Sequence, residues 1–180
     1  MNPRHPMEEL LNAPAEDILS AIQAGFRAII DVKGKLAEFY LEKELSRLLT
    51  RGQIDSYIWQ DEDGKPDFLI VRGGKQIKLE CKNVRSSKPY AKPIPGYRIE
   101  LQKTRNSKDG APTRGYLFTE FDILAACLFN HSRDWKYAFI RASDLEARAE
   151  HSELIKIMQC VPLTLTGPWK AAIADVISTF

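Results

Sequence analysis

Asp67, Glu80 and Lys82 are the residues of this chain whose types and spacing point to chemistry. Asp67 follows Pro66 at the head of one apolar run, KPDFLIV, and Glu80 and Lys82 lie two apart in the next, KQIKLECKNV. Gly73-Gly74 between the runs is the signal of a tight β-hairpin turn. Residues two apart on a strand share a face, so Glu80 and Lys82 point the same way, and the hairpin carries Asp67 to the partner strand beside them. Two carboxylates and an ammonium in one small volume suit a hard divalent cation next to a phosphate.

With Cys81 in the variable slot, Pro66-Asp67 followed by Glu80-Cys81-Lys82 resembles the active-site signature of the PD-(D/E)xK nuclease superfamily, the fold of type II restriction endonucleases and Holliday-junction resolvases. The resemblance implies an α/β (α+β) architecture, a restriction-endonuclease-like core in which a mixed sheet is flanked by helices. It implies a Mg2+ ion, with Mn2+ as substitute, held by Asp67, Glu80 and the backbone carbonyl of Cys81. Lys82 is then expected beside the attacking water, where its charge favours hydroxide and offsets charge growing on the phosphate. A helix glutamate is implied as a further metal and catalytic residue. Glu38 in KGKLAEFYLEKEL borders the buried stripe and fits that place. Glu42, at i+4 on the same side, competes for it, and solvated pairing of these acids with Lys35 or Lys43 is the other reading.

The helices and strands that must position these residues can be read from periodicity. Met7–Asn12 and Pro14–Ala28 look helical, the second through Ile18, Ala21, Ile22 and Gly25, and Lys33–Leu49 carries an apolar stripe of Ala37, Leu41, Leu45, Leu48 and Leu49 that Gly52 ends. Ile54–Gln60 alternates as a strand, and the two motif strands follow. Ser86–Pro95, with three prolines, is a loop, and Tyr97–Arg105 reads as either strand or helix. FDILAACLF within Phe118–Phe129 is a buried strand and Tyr137–Arg141 another. Ser143-Asp144 is expected to cap a short helix, and Pro168–Ser178 to form a last one. The expected organisation is one domain, residues 1–180, with a nuclease core over 30–141, N-terminal helices over 7–28 and an extension over 143–180.

A hydrophobic content of 44% and a charged content of 28% are those of an ordinary globular protein. No apolar run reaches the length of a membrane span. Cys81, Cys127 and Cys160 are three, far apart and without a CxxC pair, which excludes a zinc or dithiol signature and fits a reducing cytoplasm. His5, His131 and His151 show no metal-ligand spacing; His131 is expected in a turn and His151 near a helix end. Asp122, bordering a buried run, needs a partner or exposure at the strand start.

The net charge of +2 hides an asymmetry. Nine basic residues between Lys82 and Arg114 face only Glu100 and Asp109, so that stretch carries +7 and the rest of the chain −5. Arg85, Lys88, Lys92, Arg98, Lys103 and Arg105 are therefore expected to contact nucleic-acid phosphates. Arg98, Gln102 and Arg105 recur at helical spacing, and Gln102 joins the expected contacts. Tyr90 and Tyr97 either stack on nucleic acid or pack the loop.

The expected function is a Mg2+-dependent DNA endonuclease, restriction-like, acting on DNA as a homodimer without a membrane. A Holliday-junction resolvase or repair nuclease with the same catalytic set is the nearest alternative. A non-catalytic nucleic-acid-binding protein is the alternative from another class, and an RNA-directed nuclease has no RNA-specific feature behind it.

Overall fold

The computed structural model of the chain describes residues 4–103 and 115–180. Arg105 lies outside the described residues. Two compact units are present, Met1–Leu36 and Ala37–Phe180. The first holds α1 (Pro6–Leu11), α2 (Ala15–Ala24) and the opening turns of α3 (Phe26–Thr50). Gly25, extended at φ −96° and ψ 106°, stops α2 while its N–H bonds the carbonyls of Ala21 and Ile22. The helix expected to run through Ala28 thus ends at Ala24, and the one expected from Lys33 begins at Phe26, with Gly25 as the break between them.

In chain order the strands are β1 (Ser56–Trp59), β2 (Phe68–Arg72), β3 (Lys75–Asn83), β4 (Gly96–Glu100), β5 (Ile123–Cys127), β6 (Tyr137–Arg141), β7 (Ala147–Arg148), β8 (His151–Ile155) and β9 (Met158–Pro162). Short helices α4 (Phe129–Ser132) and α5 (Ile173–Ile177) complete the second unit. The main sheet has the order β1-β2-β3-β5-β6 and is mixed: β3 and β5 are parallel, and the other neighbours antiparallel. Gly73 and Gly74 turn the β2–β3 hairpin at φ 55° and 74°. Both are left-handed, the conformation this two-residue turn requires and glycine adopts at no steric cost.

Apolar faces fix the layers. Ala37, Leu41, Leu45 and Leu48 of α3 pack on Phe68, Ile70, Leu79, Cys81, Ile123 and Ala125. Leu124 and Ala126 of β5 face the other way and meet Val84, Ile99, Leu101 and Val161. β5 is buried throughout, which is why its sequence is a continuous apolar run and not an alternating one. Among the described residues no helix is long and apolar enough to cross a membrane.

Between β3 and β5 the described crossover carries a strand, β4, which pairs with β9 in a separate two-stranded sheet. Of the two readings left open for this segment, its described part takes the strand, so Arg98 and Gln102 do not share a helical face. Arg98 lies on β4, and Gln102 bridges to Gly115. Ser143-Asp144 yields only one 3-10 turn, Ala142–Asp144. β7, β8 and β9 follow where strands were not expected, and His151 opens β8 instead of lying near a helix end. His131 sits within α4, its ring 4.5 Å from that of Tyr97 and its Nε2 2.8 Å from the Arg85 carbonyl. Tyr97, on β4, thus stacks on a side chain of α4.

Gly96 ties the basic loop to this second sheet. It exchanges both backbone hydrogen bonds with Tyr90, at 2.7 and 3.1 Å. A Cβ at Gly96 would lie 2.3 Å from Cys160 Sγ and 2.7 Å from the Val161 carbonyl oxygen. Backbone cannot yield to such contacts as a flexible side chain can. Gly96→Ala is expected to lose about 1–3 kcal/mol in urea unfolding; a loss below about 0.5 kcal/mol, the usual scatter of harmless surface changes, would show that the β4–β9 pairing is looser than drawn.

Candidate active site

The hairpin register brings the motif together. Phe68 pairs with Leu79 as the last rung of β2 and β3, so Asp67, one residue before β2, stands opposite Glu80. Asp67 Oδ2 accepts a hydrogen bond from the Cys81 N–H at 2.7 Å, taking the ladder position that a β2 carbonyl would have filled. The N–H and C=O of one residue leave the same edge of an antiparallel strand, so the Cys81 carbonyl is directed toward Asp67 as well. The Cys81 side chain turns away into the core against α3, and burial raises its thiol well above the usual range. Its side chain is a packing group.

Glu80 is buried at 4% exposure. Its Oε1 accepts hydrogen bonds from Tyr116 Oη at 2.6 Å and Lys82 Nζ at 2.6 Å. The Lys82 side chain is 29% exposed against 5% for Glu80, so Lys82 is the member of the pair that reaches solvent. Its ammonium lies 5.8 Å from the centre of the Tyr116 ring, and that of Lys103 lies 5.5 Å from the same centre. Lys103 also pairs with Glu120 at 2.5 Å. Tyr116 thus has two cations near its ring while donating to the buried carboxylate.

These contacts set the protonation states. Burial, then the Glu80 charge, pushes Asp67 from 3.8 up to about 7, against the opposing pull of Lys82 and the Cys81 N–H; Glu38 adds to the rise. Burial acts to lower Lys82, but Glu80, Tyr116 and Asp67 outweigh it and hold the ammonium above its ordinary value. Lys82 is accordingly a fixed positive charge and donor at neutral pH, not a base. Burial and Glu80 raise the Tyr116 phenol too, so it stays a donor.

Glu38 is buried on α3, where its Oε2 accepts from Trp59 Nε1 at 3.0 Å. It is the helix acid whose charge acts on Asp67, whereas its competitor Glu42 accepts a hydrogen bond from the Tyr57 hydroxyl. Among the described residues no three His, Cys, Asp or Glu side chains gather closely enough to hold a metal ion alone. The donors present are the Asp67 and Glu80 carboxylates with the Cys81 carbonyl beside them. That set fits Mg2+, which takes one or two carboxylates and fills its remaining places with water and substrate oxygens.

The basic residues divide. Arg85 pairs with Glu100, and the Arg98 guanidinium stacks 4.4 Å over the Tyr90 ring. Lys103 is drawn to Tyr116 and Glu120, and Gln102 is half-buried in its bridge. Lys88 and Lys92 are exposed on the loop after β3. Asp122, whose partner was open, accepts from the Lys78 N–H at 2.7 Å and so anchors β5 to β3. Tyr116 and Trp59 had no signal in the sequence: their partners lie 36 and 21 residues away.

No protein-family model and no curated protein sequence matches the chain. Among solved structures, a bacterial homing endonuclease is similar at 18% identity and a TM-score of 0.41, over 63% of this chain and 69% of that one. At that level of similarity nothing about the site is carried over from it.

Asp67 makes stability depend on pH. Its carboxyl holds a proton more tightly folded than unfolded, so its contribution is full below about 4 and lost as pH rises through about 7. In metal-free protein, wild type is expected to lose stability relative to Asp67→Asn across that window, read by urea unfolding at successive pH values; a constant difference would contradict the buried pairing. Tyr116→Phe keeps the ring and removes the bond to Glu80. It is expected to weaken Mn2+ binding, measured by calorimetry, about 10- to 100-fold.

Proposed function

We propose that this chain is a Mg2+-dependent DNA endonuclease of the PD-(D/E)xK type with a restriction-endonuclease-like core. It is restriction-like in action, works as a homodimer and belongs in the cytoplasm. The observation that carries the proposal is the convergence of Asp67, Glu80 and Lys82 where β2 ends against β3, with the basic loop leaving the same strand. Three unpaired cysteines suit a reducing compartment.

Asp67, Glu80 and the Cys81 carbonyl would hold the ion, with Glu38 reaching it directly or through water. When bound, a divalent ion polarises the scissile phosphate and makes its own water more acidic. Tyr116 keeps one Glu80 oxygen in place. Lys82, permanently charged, holds a phosphate oxygen or the attacking water and opposes the negative charge that grows as water adds to phosphorus. Lys88 and Lys92 lie exposed for backbone phosphates, with Arg85, Arg98, Gln102, Lys103 and Arg105 as further contacts. Two copies are needed for a duplex break, since one such site cuts one strand.

Cleavage of supercoiled and linear duplex DNA and of four-way junctions in Mg2+ or Mn2+ tests the proposal. Wild type is expected to cut linear duplex, and Asp67→Ala and Lys82→Ala to lose at least about 100-fold in rate, the scale of removing one stabilising donor. Cutting confined to four-way junctions would make the enzyme a resolvase instead. DNA bound but never cut by wild type would leave a binding protein, and equal cutting by all three proteins would remove the site from the reaction.

A further inference from the structure

The unit Met1–Leu36 buries nothing of its own. Among its described residues, 4–36, not one is buried. α1 and α2 have 6 and 10 residues, too few to persist on helix propensity without packing. Yet Met7, Leu10, Leu11, Leu19, Phe26 and Ile30 are exposed, Leu10 at 76% and Phe26 at 79%. At roughly 200 Å² for a large side chain, these six expose on the order of 700 Å². Covered together, they would supply an area close to the ~800 Å² each partner gives a standard interface.

Charge says what covers this surface. Glu8, Glu9, Glu16 and Asp17 precede any base after Arg4, whereas Arg27, Lys33 and Lys35 surround the single acid Asp31. The unit is acidic in its first half and basic in its second, with five acids and four bases in all. It has no excess positive charge to hold an anionic membrane or a nucleic acid. A two-fold pairing brings the acidic half of one copy to the basic half of the other, twice over, because an isologous interface makes each contact in both directions. We infer that the helices of residues 4–36 are a homodimerisation surface, occupied by the same helices of a second copy. The inference names the surface for the pairing invoked above but rests on this unit alone, and it holds or fails whether or not the protein cuts DNA.

Sedimentation equilibrium of the full chain tests it. Wild type is expected to dimerise at micromolar concentration or tighter. Leu10→Asp/Leu19→Asp should weaken the dimer at least about 100-fold, with any loss of circular dichroism limited to the helical signal of these short N-terminal helices and the rest of the spectrum retained. Leu163→Asp, exposed elsewhere, should leave the dimer unchanged. Glu16→Lys/Asp17→Lys and Arg27→Glu/Lys33→Glu should each self-associate poorly and form a heterodimer when mixed. A wild type that stays monomeric to about 100 μM, far above a micromolar dissociation constant, overturns the inference. So does a dimer indifferent to the leucine substitutions, or a charge-reversed pair that stays monomeric when mixed.

Discussion

Two carboxylates held side by side, one buried and one half-buried, repel each other and lose hydration, and only a proton, a cation or donated hydrogen bonds can offset that cost. The second unit is arranged around this constraint at Asp67 and Glu80. Each donor near the pair answers part of it: the Cys81 N–H on Asp67, and the Tyr116 hydroxyl and Lys82 ammonium on Glu80. What they leave uncompensated appears as the high affinity of Asp67 for a proton. The divalent ion proposed for this site would relieve the same repulsion in place of that proton, so its binding would release the proton.

The sheet makes this arrangement possible by giving β3 two unlike faces. Leu79 and Cys81 point to α3 and are part of the core, so the strand cannot slip by one residue without turning the charged Glu80 and Lys82 into that apolar layer and the apolar pair out of it. Register is therefore pinned by packing, and with it the position of Glu80 opposite Asp67. Asp122 adds a second pin, its carboxylate bonding the Lys78 N–H ahead of the β3–β5 pairing. The chemistry depends on apolar residues that never touch it.

How much was legible from sequence follows from the range of each interaction. The β2–β3 hairpin was, because apolar runs and a Gly-Gly turn are local, and it carried Asp67, Glu80 and Lys82 with it. The α3 stripe was legible from periodicity, as was β5 from its unbroken apolar run. β4 stayed ambiguous because Ile99 and Leu101 alternate as in a strand while Arg98, Gln102 and Arg105 repeat as on a helix. β8 was invisible: its sequence, HSELI, is exposed over its first three residues and shows no buried face. Tyr116 and Trp59 could not be placed at all, since only the folded sheet brings them to Glu80 and Glu38.

Charge count and charge availability also part company. The stretch from Lys82 to Arg114 carries +7 by sequence, but Arg85 and Lys103 are drawn onto Glu100 and Glu120, and the Arg98 guanidinium lies on Tyr90. The Arg85–Glu100 pair is exposed, and such pairs are weak, near 0–1 kcal/mol, so a polyanion could compete for Arg85 without unfolding the loop. Lys88 and Lys92 need no such exchange, being already exposed. Lys82 is the opposite case, since Glu80, Tyr116 and Asp67 all hold its charge in place. The basic stretch is thus graded, from residues that meet a phosphate at no cost, through residues that must change partner, to one fixed beside the carboxylates. For the nuclease proposed above, that grading would favour a phosphate backbone held last and most firmly at Lys82, where the positive charge is fixed beside the carboxylates.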